Sequence, residues 1–186
     1  MRSKDIHFEN AYSPFRLAEG KPDSVRPLAN AGGVEDRLRL VAFAELQARD
    51  LFRYGANRFS ENVDWAASWS RFAEVEDRHA QMLLHRMEEL GLDLGARTVS
   101  DKLSRLCRAA DDPVLFLFLL SSAEERGMEA GFVLGREMAK VDPVSARLFE
   151  QIAQEEVEHV EAARLFLSPF SQVGLQAQAR HLCGIL

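Results

Sequence analysis

The chain has 186 residues, 47% hydrophobic and 28% charged, with a formal net charge of −6. This length and balance predict one globular domain that buries a core without the help of disulfides or structural metals. The negative net charge predicts no overall electrostatic attraction for nucleic acid. The longest apolar run, residues 114–120, is too short to span a bilayer, and the first residues lack the apolar stretch of a signal peptide. Two cysteines without a CxxC pair exclude a disulfide scaffold and a cysteine-rich zinc site, and predict a cytoplasmic protein.

The chain begins with an irregular segment that precedes its first helix. Residues 1–33 are rich in proline and glycine and show no sustained period, which predicts an extended arm. Four apolar side chains within it are candidates for packing against a core: Phe8, Tyr12, Phe15 and Leu17.

Apolar residues then recur at three- and four-residue steps, which predicts a first helix from Val34 to about Phe59. A second periodic segment covers residues 65–90, and Gly91 follows it where a C-cap glycine belongs. A long connection, residues 91–112, contains a candidate short helix at residues 101–109.

Two Asp-Pro pairs mark the starts of the remaining long helices, because aspartate caps a helix and proline suits its first position. Asp112-Pro113 begins a helix that reaches about residue 140. Asp142-Pro143 begins another, which ends near residue 167 before Ser168-Pro169. One more short helix is expected in the tail.

The prediction is therefore an all-α protein, an antiparallel four-helix bundle with one long crossover connection. No alternating strand pattern is present. We divide the chain into an arm (residues 1–33), a bundle (34–167) and a C-terminal tail (168–186).

Carboxylates and imidazoles interrupt the apolar stripes of all four long helices. In the first half 31 residues separate Glu45 from Glu76, and in the second half 32 separate Glu124 from Glu156. Each half also has an ExxH motif, which places a glutamate and a histidine one turn apart on one face. The full candidate metal-ligand set is Glu45, Glu76, His79, Glu124, Glu156 and His159.

Four carboxylates in one core would repel one another and lose hydration, so they need protons or cations. Two divalent metal ions balance four carboxylates when both histidines are neutral. Carboxylate oxygens favour hard ions, and imidazole shifts the preference toward iron or manganese. The third long helix offers Glu124, Glu125 and Glu129; we favour Glu124, which shares the apolar face, and expect Glu125 to be solvated.

Several segments resemble those of ferritin-like di-iron carboxylate proteins, and the similarity is greater to the tRNA 2-methylthio-N6-isopentenyladenosine hydroxylases. They are Phe43–Gln47, Glu76–His79, Leu103–Leu106, Ala123–Glu129 and Glu156–His159. The likeness covers roughly residues 34–167, although Gly127-Met128 stands where the hydroxylases have Ser-Cys. The resemblance implies that the six candidate residues bind two iron ions, or manganese, and that the site uses O2 and an external electron donor.

The main hypothesis is thus an oxygen-activating di-iron hydroxylase or oxidase, a monomer or homodimer, with tRNA as one candidate partner. The alternative is a ferritin-like iron-oxidising, iron-storage or peroxide-scavenging protein, and a third class is a structural bundle with a vestigial site. Three glycines spaced by four residues, Gly127, Gly131 and Gly135, favour close approach of a neighbouring helix over open space beside the site. Three histidines have no acidic residue three positions before them and are expected at the surface or at its boundary with the core: His7, His85 and His181.

Overall fold

The computed structural model describes the backbone of residues 12–185 and the side chains of residues 12–184. Within this range the chain is all-helical apart from one small sheet, which confirms the all-α prediction. The helices are α1 (Gly33–Arg58), α2 (Val63–Glu89), α3 (Lys102–Arg108), α4 (Pro113–Met138), α5 (Pro143–Leu167) and α6 (Gln172–Ile185). Among the described residues, no helix is both long and apolar enough to cross a membrane.

The Asp-Pro pairs begin helices as predicted. The Asp112 carboxylate accepts a hydrogen bond from the Leu115 amide at 3.0 Å, which caps α4. The Asp142 carboxylate accepts bonds from the amides of Val144 and Ser145 at the start of α5. Each bond satisfies an amide that the first turn of a helix leaves without a partner.

The four long helices pack mainly in two pairs, α1 with α2 and α4 with α5, and the pairs touch where α1 meets α4 and α2 meets α5. Two clusters of buried side chains fill the interior. The first includes Phe52, Trp69, Phe72 and Phe116, and the second includes Phe43, Leu83, Met87 and Phe149. Along each long helix the candidate ligands fall at the level where one cluster gives way to the other.

The described part of the predicted arm lies against the second cluster. Tyr12 and Phe15 are buried and their rings contact Phe43, with centroids 5.1 and 5.4 Å away. Strand β1 (Arg16–Leu17) pairs in parallel with β2 (Thr98–Val99), so this segment is joined to the connection between α2 and α3. The sequence analysis missed this sheet, because two-residue strands are too short for an alternating pattern. Phe8 and His7 lie outside the described residues.

Candidate metal centre

The structure brings all six predicted ligands into one cluster. Each of them has at most 8% of its surface exposed. One helix of each pair gives a single glutamate and the other gives an ExxH motif: Glu45 comes from α1, Glu76 and His79 from α2, Glu124 from α4, and Glu156 and His159 from α5.

The cluster divides into two overlapping sets of four residues. One set is Glu45, Glu76, His79 and Glu156, and the other is Glu76, Glu124, Glu156 and His159. Within each set the four ligand atoms lie within 4.8 Å of one another. Glu76 and Glu156 belong to both sets, so each can offer one oxygen to each of two neighbouring ions.

Both imidazoles turn Nδ1 toward the carboxylates. His79 Nδ1 lies 3.0 Å from Glu156 Oε1 and 3.7 Å from Glu76 Oε2. His159 Nδ1 lies 2.8 Å from Glu76 Oε1 and 2.9 Å from Glu156 Oε2. The single glutamates lie farther from the imidazoles. The distance from His79 Nδ1 to Glu45 Oε2 is 3.9 Å, and the distance from His159 Nδ1 to Glu124 Oε2 is also 3.9 Å. The centre therefore has near twofold symmetry in its donor atoms.

The surroundings of the two imidazoles break this symmetry. His79 Nε2, on the outer side of its ring, lies 3.1 Å from a carboxylate oxygen of Glu155. Glu155 is itself held by Arg78 and by Gln151. The His159 ring instead packs against the rings of Phe72 and Phe52, with centroids 4.2 and 5.6 Å away.

The sequence analysis missed Glu155, because it lies beside the inward face of α5 rather than on it. A signal was available in the comparison of the two ExxH motifs. Glu155 directly precedes Glu156, whereas Val75 directly precedes Glu76. A carboxylate behind only one of the two histidines is the corresponding structural difference.

Burial and mutual repulsion control the protonation of the glutamates. Burial raises the pKa of Glu45 well above its usual range, and the charge of Glu76 raises it further. Burial likewise raises the pKa of Glu124, and the charges of Glu76 and Glu156 add to the effect. When no cation is present, these two outer carboxyls therefore keep their protons to a higher pH than an exposed glutamate does.

The shared carboxylates behave in the opposite way. Burial opposes their ionisation, but the close positive histidines outweigh it, which lowers the pKa of Glu76 and brings that of Glu156 to about 2. Burial lowers the pKa of the histidines, yet the surrounding glutamates raise the pKa of both His79 and His159 to about 12. Without metal, the two imidazolium ions therefore offset the charges of the two shared carboxylates.

Four buried atoms in the cluster lack a hydrogen-bond partner among the described residues. They are both carboxylate oxygens of Glu76, His79 Nδ1 and Glu156 Oε1. Buried polar atoms are rarely left without a partner, so each needs an explanation. Coordination of a cation satisfies all four at once, and the donor set of four carboxylates and two imidazoles suits divalent metal ions. The residues present therefore fit a centre for two metal ions.

In α4, the third long helix, the glutamate that joins the cluster is the one on the apolar face, as predicted. Glu124 is buried in the cluster, whereas the Glu125 side chain is 45% exposed and forms an ion pair with Arg164. Glu129 is exposed. Of the remaining histidines, His85 and His181 are exposed, as expected.

A cleft of about 100 Å³ lies beside the cluster between α1, α4 and α5, and Glu45, Glu124 and Glu156 line it. Gly131 and Gly135 allow the close approach that the sequence predicts, because a Cβ at either position would lie within 3.3 Å of α5. The prediction is wrong for Gly127, which lines the cleft and where a Cβ would have no neighbour within 4 Å. At that level α4 faces the cleft instead of the backbone of α5.

The family model for proteins of unknown function named DUF455 matches residues 15–179. The chain therefore belongs to the DUF455 family. No curated protein and no solved structure matches the chain.

Proposed function

We propose that this DUF455 protein is a di-iron, oxygen-activating oxidoreductase of the hydroxylase or oxidase type. One observation carries the proposal: two four-residue donor sets share Glu76 and Glu156, and each contains one imidazole whose Nδ1 faces the carboxylates. A cluster that only stabilised the fold would satisfy its buried oxygens with hydrogen bonds, and here several have none.

The helix contacts support a ferritin-like four-helix bundle for this centre. The α1–α2 and α4–α5 pairs each have a short connection, so their helices run antiparallel, and the connection from α2 to α4 is long enough to cross the bundle. Carboxylate-bridged di-metal proteins place a glutamate on each of two helices and a Glu-x-x-His motif on each of the other two. Here α1 and α4 supply the single glutamates, and α2 and α5 supply the motifs.

Each residue has a distinct part in the proposed centre. Glu76 and Glu156 would help to hold both ions, Glu45 and His79 would hold one of them, and Glu124 and His159 the other. Iron held there would supply the redox capacity for reducing O2, and hydroxylation of each substrate would need two electrons and two protons from outside the protein, with water as the second product. Phe52 and Phe72, both buried, keep water from the His159 side of the centre.

Metal content together with an optical spectrum tests the proposal. We expect protein purified without chelator to hold about two iron or manganese ions per chain, and the reduced iron form to give a transient absorption band when O2 is added. The double variant Glu76→Ala/Glu156→Ala should lose both ions. A matched control, Glu74→Ala/Glu158→Ala, removes exposed carboxylates from the same helices and should keep them.

Retention of both ions by the Glu76→Ala/Glu156→Ala protein would contradict the site. Sedimentation provides the functional contrast, because a large closed shell would favour iron storage, whereas a monomer or homodimer agrees with an oxidoreductase. The cytoplasmic location and the tRNA partner stay predictions.

A further inference from the structure

We infer that the cleft beside the metal centre, together with a surface groove that continues it, binds a slim aliphatic chain with an acidic head group. The inference rests on the proposed function, because it places the end of that chain beside the proposed ions. It names the chemical class of substrate that the centre would receive.

The inner cleft is suited to hydrocarbon. Its walls are small or apolar side chains, including Ala48, Ala123, Ile152 and Phe149. Its polar groups are three candidate ligands, Glu45, Glu124 and Glu156, each more than nine-tenths buried. One of them, Glu156, turns an oxygen without a hydrogen-bond partner into the cluster.

When the centre holds its metal ions and Glu45, Glu124 and Glu156 are ionised, no side chain lining the inner cleft can donate a hydrogen bond to a substrate. A polar substituent brought here would lose its hydration without a compensating donor, which is costly. The volume of about 100 Å³ is smaller than the cavity of about 150 Å³ that accepts benzene. The inner cleft therefore fits the narrow end of a chain and excludes a broad ring system.

The outer groove continues from the inner cleft. The two cavities share Val41 of α1 and Ala130 of α4, and the groove is a shallow depression of about 550 Å³ that is largely open to solvent. Leu40, Val133 and Leu134 form much of its wall. Its volume lies within the range of about 300–1,000 Å³ that small-molecule sites occupy. A chain that lay along the groove would place its end in the cleft.

The charges at the groove favour an anionic head group. Arg37, Arg126 and Glu129 are the ionisable residues that line it. The Arg37 guanidinium donates hydrogen bonds to the backbone carbonyls of Arg26 and Gly33. Because these carbonyls are neutral, they do not compensate the positive charge of Arg37. Among the described residues no carboxylate lies within 4.0 Å of Arg37 or Arg126, so two unpaired cations face one carboxylate. Such a groove attracts an anion and repels a cationic head group.

Calorimetric titration with three ten-carbon probes tests the inference: decanoate, decanol and decyltrimethylammonium. We expect one decanoate per chain, bound roughly fivefold more tightly than decanol and more than tenfold more tightly than decyltrimethylammonium. The Arg37→Gln/Arg126→Gln variant should reduce decanoate binding to the level of decanol. Equal affinity for all three probes would overturn the acidic head group.

Filling the cleft tests the location. Gly127→Leu should weaken decanoate binding at least tenfold, whereas Gly184→Leu, the same change at an exposed glycine of α6, should leave it unchanged. Ala130→Leu narrows the junction of the two cavities and replaces Gly127→Leu if that variant does not fold. Undiminished binding by a folded Gly127→Leu or Ala130→Leu protein would overturn the inference.

Metal content measured on the same samples separates the two proposals. Wild-type protein that holds two ions but binds no decanoate would refute the acidic-chain site and leave the metal centre intact. Wild-type protein that binds decanoate but no metal would refute the proposed function. A Gly127→Leu protein that keeps its metal and loses decanoate supports both.

Discussion

Removing the charge of Glu155 should weaken one of the two metal positions and leave the other intact. Glu155 contacts His79 Nε2 at 3.1 Å, on the side of the ring opposite the proposed metal. A carboxylate in that position fixes the ring and increases the basicity of the metal-binding nitrogen. His159 is packed against phenylalanine rings instead, so the effect is confined to the set that contains His79.

The expected magnitude follows from this single contact. Loss of a carboxylate partner behind a histidine ligand weakens metal binding about 10- to 100-fold, which is about 1.4–2.7 kcal/mol. Glu155→Gln keeps the size of the side chain and removes its charge. Glu158→Gln is the matched control, since Glu158 lies on the same helix and is ion-paired with Arg71 in an exposed position.

Manganese titration followed by electron paramagnetic resonance of the free ion measures both positions. We expect wild-type protein to bind two equivalents, the first more tightly because the His79 set has the carboxylate support. Glu155→Gln should lower the affinity of that equivalent only, and Glu158→Gln should change neither. An equal loss at both positions, or the same loss in the control, would refute the assigned role of Glu155.

Four further predictions concern the metal-free protein and its helices. The pKa of His79 and of His159 is about 12 in the folded protein and about 6.5 in the unfolded chain. The contribution of these histidines to the stability of the fold is therefore complete below pH 6.5 and declines as the pH rises toward 12. Urea denaturation should give a lower free energy of unfolding at pH 9 than at pH 6. Binding of two divalent ions at neutral pH should release about two protons per chain from the imidazolium ions, and further protons from any carboxyl that is still protonated. Calorimetry in buffers of different ionisation enthalpy measures this release. Gly131→Ala should destabilise the protein by about 1–3 kcal/mol, because its Cβ would lie 2.9 Å from a side chain of α5, whereas Gly127→Ala should stabilise it by about 0.5–1 kcal/mol; thermal unfolding distinguishes them. Asp112→Ala removes the α4 cap and should cost about 1 kcal/mol in the same assay.

The six candidate ligands were predictable because helical periodicity fixes which side chains share a face. Glu124 and Glu125 show the strength of that argument: one residue of displacement moves a glutamate from the buried cluster to an ion pair with Arg164. The local start signals were equally informative, as the caps at Asp112 and Asp142 show.

Features that depend on contacts between distant segments were not predictable. The β1–β2 pair joins residues about 80 positions apart and leaves no periodic signal. Glu155 reaches His79 across the gap between α5 and α2, which its own helix pattern does not reveal. Gly127 and Gly131 both line the cleft, but only at Gly131 does α5 lie close, with the Ala153 Cβ 2.9 Å from where a Cβ would be.

Anomalous X-ray scattering from crystals loaded with iron or manganese tests the metal centre most directly. The account predicts two peaks inside the cluster, one beside Nδ1 of His79 and the other beside Nδ1 of His159, with Glu76 and Glu156 in contact with both. No peak within the cluster, or a single ion held without Glu76 and Glu156, would contradict it.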